Sequence, residues 1–382
     1  MKLIKLLGVL LALGAGLAVA QDRTSTLIYG GDWTDLITAD PGVSYEFTGG
    51  LVTDNLYETL VKFEGTDLST LKPGLAEKWD VKNTGQGWLV TFNLRKGSKF
   101  STGREVTAKD VVYSIERVLA IKGPSSFLYT DVANLKPGSA KATDAYTVQV
   151  TLPKTASPQA FLNLLTFNIG GIVDSEEVKA HEQGGDWGKA WLTDHSAGSG
   201  PFVLNRWDRN AQVVLTANPN ARLAPKLKQV ILRYLPEPQA QRVALESGEI
   251  DIAENLTPEM LKAFASNPKF KVYKSDNLRL RYIGMNSKEG SPFANPKVRE
   301  AVRYAINQDE IINDLLLGNA TKTQTIIPKG LLGYNANLYY SYDPGRAKKL
   351  LAEAGVPNGF EFELLTATAT CDFVPCADLA AK

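Results

Sequence analysis

The chain has 382 residues, long enough for two domains. Its 42 basic and 41 acidic side chains nearly cancel, which argues against a nucleic-acid partner. Only two histidines, His181 and His195, are present and neither neighbours a cysteine, so no metal centre is expected.

Lys2 and Lys5 open the chain, residues 6–17 are apolar, and Ala18-Val19-Ala20 is a small-x-small site before Gln21. This is the layout of an export signal cleaved after Ala20. The apolar run is too short and glycine-broken for a comfortable spanning helix, although an uncleaved anchor is the alternative. No cysteine lies near the cut, so a lipid anchor is not supported.

Residues 26–31 (TLIYGG) read as a first strand. The connector after them carries Trp33, Tyr45 and Phe47, with Asp40-Pro41 as a turn signal. That aromatic load either caps a core or lines a cleft. A helix is expected near Gly50, with Leu51, Leu56, Leu60 and Val61 as its apolar positions. Residues 76–117 read as strand, turn, strand, loop, helix. Trp88, Val90, Phe92 and Leu94 alternate with more polar neighbours, the period of a half-buried strand. Thr107 and Asp110 resemble a capping box, and Val111, Val112, Ile115, Val118 and Leu119 give the following helix its apolar face.

Residues 123–138 are a loop whose Phe127 and Tyr129 belong to the core or overhang a cleft. A strand at 145–152 and a helix opened by Ser157-Pro158 follow. Residues 184–191 are glycine-rich and are expected at the surface. Strands at 202–206 and 212–216 flank Asp208 to Asn210 as a hairpin. The preceding Gly-Ser-Gly lacks the lysine and helix of a phosphate loop. Then come a strand at 228–235, a helix at 239–246 ending at Ser247-Gly248, and a short strand at 249–253. Thr257-Pro258 starts another helix. Beyond it, 270–273, 279–284 and 360–365 read as strands. Helices are expected from Pro296, from Asp309 and after Asp343-Pro344.

Cys371 and Cys376 sit five apart. An oxidising compartment favours a local disulfide over two free thiols, yet the spacing proves none, and one helix through both would point them apart. No nucleophile elbow, H-E-x-x-H pair or Walker lysine loop is present, so no catalytic residue is assigned. A secreted peptide hydrolase is the runner-up class.

The run AEKW…TFNLRKGSKFSTGREVTAKDVVYSIERVL resembles the signature of the extracellular solute-binding proteins of family 5. These are the peptide-type receptors (dipeptide, oligopeptide, nickel) of ABC importers. DNLYETLV (54–61), GSGPFVL (198–204), SGEIDIA (247–253), YIGMN (282–286), NPKVREAVRYAINQDEII (295–312) and DPGRAKKLLAEAG (343–355) match in family order. The resemblance implies an α/β, two-lobed periplasmic-binding-protein-like fold (type II, cluster C-like) with a hinge. Lobe I would span 21–275, with an inserted subdomain at about 50–190, and lobe II would span 276–382. Family members continue beyond this point, so the sequence resembles a truncated member with an incomplete second lobe, less stable than a longer relative.

The resemblance further places Tyr45, Glu46 and Phe47 along the cleft, and Phe127 and Tyr129 over it. Glu254, Asn255 and Leu256, just after EIDIA, would lie in its floor. The hinge would end at Gly284 and Asn286. The implied role is capture of a peptide or similar small solute, without cofactor, by an exported, periplasmic monomer that docks on an ABC permease. Sugars, opines and metal chelates are the other family ligands, and the scarcity of histidine makes direct nickel ligation unattractive.

Overall fold

The structure is a computed structural model that describes residues 23–65, 67–254, 256–274, 278–329, 331, 333–367, 370–371 and 374–382. The expected signal segment, Asn255 and the expected lobe boundary at 275/276 lie outside these residues.

Strand β1 (Thr26–Gly31) leads through a 15-residue connector to α1 (Phe47–Leu56). This helix is poor in strong formers and is held by packing. Val52 and Leu56 are buried, and the Thr53 hydroxyl donates to the Gly49 carbonyl at 2.8 Å. It begins earlier than the sequence suggests and stops before Leu60 and Val61. Leu60 is buried, and Val61 starts β2 (Val61–Glu64), which pairs with β3 (Asp67–Pro73).

Next come β4 (Ala76–Asn83), β5 (Gly87–Leu94) and α2 (Ala108–Ile121). The capping box forms as read from the sequence. Val111, Ile115, Val118 and Leu119 are buried, each worth about 1.5–3 kcal/mol relative to exposure. With β6 (Ala140–Ala142) and β7 (Thr147–Pro153) the antiparallel sheet β4-β5-β7-β6 is complete, and α3 (Pro158–Leu164) closes its core. That core runs from Leu60 to Ile172 and includes Val90, Phe92, Val150 and Phe161.

The chain then returns toward its start. Helices α4 (Ser175–Ala180) and α5 (Lys189–Leu192) precede the hairpin β8 (Phe202–Asp208) and β9 (Gln212–Ala217). The stretch between α4 and the hairpin is less superficial than its composition suggests, because Trp187 and Trp191 pack half-buried on a second core. Strand β10 (Gln229–Tyr234), helix α6 (Pro238–Ser247), the two-residue β11 (Ile252–Ala253) and α7 (Pro258–Ala265) follow. The mixed sheet has the order β11-β1-β10-β9-β8, with β1 parallel to both β10 and β11. Its faces alternate as the pleat requires. Val213, Leu215 and Leu232 join the core beneath α1, while Ile28, Val214 and Ile231 pack with Ala244 and Ile250 on the α6 side.

The Gly198-Ser199-Gly200 run is explained by proximity. A Cβ on Gly198 would sit 2.0 Å from the Leu56 carbonyl oxygen, and one on Gly200 2.5 Å from the Leu56 carbonyl carbon. Both glycines let the hairpin entry touch the end of α1, where Gly200 N–H donates to the Leu56 carbonyl at 3.0 Å. Gly198→Ala is expected to destabilise by about 1–3 kcal/mol through overpacking, read as a lower denaturant midpoint. An unchanged midpoint would contradict this account.

Beyond α7 the reading needs correction. Residues 270–273, 279–284 and 360–365 form no ladder among the described residues. Apolar alternation marks a strand only if a partner strand is alongside, and the described residues provide none. Tyr282 and Leu365 accordingly stand 85% and 83% exposed. Order here is helical: α8 (Pro296–Ala305) and α10 (Pro344–Glu353) pack through Ala301, Ala347 and Leu350, with α9 (Gln308–Glu310) between them in sequence. Cys371 and Cys376 are joined by a disulfide across β12 (Thr370–Cys371) and β13 (Val374–Pro375), at the start of α11 (Cys376–Ala381). A hairpin, not one helix, brings them together. No helix among the described residues is long and apolar enough to cross a membrane.

Candidate ligand-binding site

In open sheets with parallel strands, ligands gather outside the carboxyl ends of the strands. Here those ends belong to β1, β10 and β11, and the candidate residues follow β1 and β11. The connector after β1 is fixed before it reaches the surface. Trp33 turns back onto Tyr29 edge-to-face at 5.0 Å, and its indole N–H donates to the Arg233 carbonyl at 2.9 Å. Asp40 is fully buried and takes a bidentate pair from Arg117, Nη1 to Oδ1 at 2.7 Å and Nη2 to Oδ2 at 2.6 Å. The Asp40 carbonyl accepts from Val43 and Ser44, and its carboxylate accepts from the Gly42 N–H, so the Asp-Pro-Gly turn is rigid.

The next three residues are the ones the sequence singled out. Tyr45 is half-exposed and meets Phe127 edge-to-face at 5.7 Å. Glu46 occupies the N-cap position of α1, and its carboxylate accepts from the Tyr45 N–H at 3.0 Å. Phe47 is 68% exposed, with the Arg279 guanidinium 4.0 Å above its ring.

Glu254 follows β11. Its N–H reaches the Gly30 carbonyl at 3.2 Å and the Gln241 side-chain oxygen at 3.0 Å, which ties it to the end of β1 and to α6. One carboxylate oxygen accepts from the Tyr29 hydroxyl at 2.6 Å. Burial, and then the carboxylate itself, push the Tyr29 phenol well above its ordinary range, so it stays a donor; Arg279 acts in the opposite direction.

The remaining candidates separate from this group. Tyr129 is 1% exposed, and its hydroxyl donates to the Ile169 carbonyl, so it is a core side chain with no surface to offer. Leu256 is likewise buried and contributes only backbone position. Gly284 and Asn286 are exposed on the ladder-free segment. Gly284 does not adopt the left-handed conformation that would demand glycine, and a Cβ there meets nothing nearer than Tyr282 at 3.8 Å.

A cavity of about 300 Å³ opens between α1 and the sheet, lined by Tyr29, Leu51, Asn55, Phe202 and Ile252 among others. It is apolar apart from Asn55 and the Tyr29 hydroxyl, and Tyr29 is shared with the Glu254 pair. None of the sequence candidates lines it. Tyr29, Asn55 and Arg279 are thus the residues that sequence reasoning missed. Tyr29 had a signal, being an alternate position in TLIYGG. His181 and His195 lie elsewhere, stacked on Trp191 at 4.3 and 4.9 Å. Among the described residues no group of three His, Cys, Asp or Glu is placed to hold a metal ion.

The arrangement offers exposed aromatic faces, a carboxylate held by Tyr29 and a guanidinium over the Phe47 ring. Comparison with known proteins agrees in kind. Residues 70–382 match the profile described as bacterial extracellular solute-binding proteins, family 5 Middle. A probable D,D-dipeptide-binding periplasmic protein, DdpA, of Escherichia coli K12 is 31% identical over 349 residues, covering 90% of this chain and 65% of its own length. Heme-binding protein A of Haemophilus influenzae is 31% identical, covering 84% of this chain and 59% of its own. The chain therefore spans about three-fifths to two-thirds of these relatives' length. Among solved structures, the Helicobacter pylori periplasmic binding protein DppA in complex with the peptide STSA superposes with a TM-score of 0.74 at 28% identity, covering 88% of this chain and 67% of that one. MoaA of A. tumefaciens R10 in complex with mannopinic acid gives 0.73 at 30% identity, covering 88% and 66%.

Proposed function

The chain belongs to family 5 of the bacterial extracellular solute-binding proteins and has their two-lobed, type II α/β fold; on that premise we propose that it is the substrate-binding receptor of an ABC importer. It captures a peptide or similar small solute between two lobes and delivers it unaltered to a membrane permease. The observation that carries this reading is the family match over residues 70–382, joined by relatives whose names are those of binding proteins, not enzymes. The receptor acts as an exported monomer in the periplasm, without nucleic acid or metal.

In this reading lobe I is the mixed sheet with its helices, and the unit around β4-β5-β7-β6 is a subdomain inserted into it. Residues 278–286 carry the chain into lobe II, with Gly284 and Asn286 at the hinge. Tyr45, Phe47 and Phe127 give the solute aromatic surface, and Glu254 accepts from a donor on it. The backbone at Leu256 completes the floor. Closure of the lobes excludes water and strengthens those bonds. A micromolar complex needs a net of about 8 kcal/mol, which a few charge-assisted bonds and buried aromatic area supply.

The test is native mass spectrometry of the protein purified from an exporting host, followed by identification of whatever denaturation releases. One solute per chain, recovered chemically intact, is the expected result. Turnover of added peptides with no retained solute would replace the receptor with the hydrolase reading.

A further inference from the structure

The cavity of about 300 Å³ between α1 and the sheet has no part in the receptor reading. It extends toward the amino ends of β1 and β10, where the register partners Leu27 and Val230 line it together with Leu227. The candidate solute residues instead follow the carboxyl ends of β1 and β11. Its lip is open, since Leu51 and Ile252 line it yet remain 36% and 41% exposed. A dry apolar cavity of about 150 Å³ is enough to hold benzene, so a compact apolar body fits here.

The outer side of α1 adds polar groups to that lip. Asp54 and Asn55 stand three and four positions after Leu51, so both neighbour it on the helix surface. The Asn55 Nδ2 donates to the Leu51 carbonyl at 2.8 Å, which leaves the Asn55 Oδ1 as an acceptor. Asp54 is exposed and has no hydrogen-bond or ion-pair partner among the described residues. The protein around it still desolvates its carboxyl and pushes it up to about 6, with no neighbouring charge to offset this. A cation relieves a carboxylate so placed. An ammonium, with three donors and no acceptor, can serve the Asp54 carboxylate and the Asn55 oxygen together. An anionic head group is poorly served, because the Tyr29 hydroxyl is committed to Glu254.

We propose that this cavity is a second binding site, for a small amphipathic amine. The apolar body lies among Leu27, Leu51 and Val230, and the ammonium rests at the lip against Asp54 and Asn55. The site goes beyond the receptor reading and does not depend on it.

The experiment adds phenethylamine, phenethyl alcohol or phenylacetate to the full chain with isotopically labelled leucine and valine methyl groups, and follows the methyl resonances. The three probes share one apolar body and differ in the head group. At about pH 8 Asp54 is ionised and the amine is still protonated. The amine is expected to shift the Leu27, Leu51 and Val230 methyls and to bind about 10-fold more tightly than the alcohol, with phenylacetate weakest. Asp54→Asn should bring the amine down to the level of the alcohol and leave the alcohol unchanged. Because Asp54 is exposed, this variant should keep the wild-type circular dichroism and unfolding midpoint. Leu27→Phe, which narrows the cavity, should weaken the amine and the alcohol together. An amine that binds no better than the alcohol, a preference that survives Asp54→Asn, or shifts confined to methyls outside the cavity would overturn the proposal. So would a wild type that binds none of the three.

Discussion

Arg117→Ala is expected to destabilise the protein by about 3–5 kcal/mol, the usual result of leaving one half of a buried ion pair alone. Arg117 and Asp40 are 1% and 0% exposed, and their two hydrogen bonds are matched by a third from Arg117 Nε to the Trp187 carbonyl at 2.7 Å. Removing the guanidinium strands a carboxylate that cannot reach water and frees a buried carbonyl. Arg117→Lys keeps the charge but loses the fork and should fall between, because one ammonium cannot serve both carboxylate oxygens and the carbonyl. Denaturant unfolding followed by tryptophan fluorescence measures both. A loss below about 1 kcal/mol for the alanine variant would mean that the pair is no more than a surface bridge in its effect. The same variant should also weaken solute binding, since Asp40 anchors the turn that presents Tyr45, Glu46 and Phe47.

Asp110→Asn is the second large effect, and its signature is its dependence on pH. Asp110 is fully buried. Its carboxylate accepts from the Ser175 hydroxyl at 2.6 Å, from the Thr107 hydroxyl and N–H at 2.8 and 2.9 Å, and from Arg104. Arg104 in turn donates to Asp174 at 2.8 Å. Burial would raise the Asp110 carboxyl, but Arg104 and the Ser175 and Thr107 donors outweigh it and hold the group below the usual carboxylate range. A folded-state value below the unfolded one means stability that is present in full above about pH 4 and is lost as pH falls through the folded value. The asparagine variant should therefore cost about 2–4 kcal/mol near neutrality. Its deficit should shrink as the solution is acidified below pH 4. A deficit that stays constant across that range would show that the loss is one of shape and not of charge.

The capping box at Thr107 and Asp110 was legible because both partners lie within one helical turn. The rest of Asp110's role was not, because Ser175 meets it across some 65 residues of chain and Asp174 shares its Arg104 partner, and nothing local marks such a meeting. Elements up to residue 265 were legible for a related reason. Their apolar periods of two and 3.6 are honoured by cores that exist, under Val90 and Phe92 or beneath Ile115 and Val118. At residues 279–284 the same period is present without a neighbouring strand among the described residues, so pattern alone misleads. Phe127 and Tyr129 show the limit for single side chains. They are two positions apart in one loop, yet Phe127 is 40% exposed and Tyr129 is sealed against Ile169. Composition cannot separate them, because the separation is made by α2 and α3 packing over one and not the other. Arg279 escaped notice because a basic residue in an exposed stretch looks solvated until its ring partner, far away in sequence, is known.

The interior position of β1, flanked by β10 and β11, bears on the order in which this chain can acquire its shape. Thr26 pairs with Gln229 and Tyr29 with Ile252, so the first strand to leave a ribosome or a translocation pore has no partner until most of the chain has emerged. The β4-β5-β7-β6 unit, by contrast, is assembled from neighbours and can condense early. Newly made chains would then pass through a stage with a compact middle and an unzipped beginning, in which the leading end stays extended and available to whatever machinery is moving it.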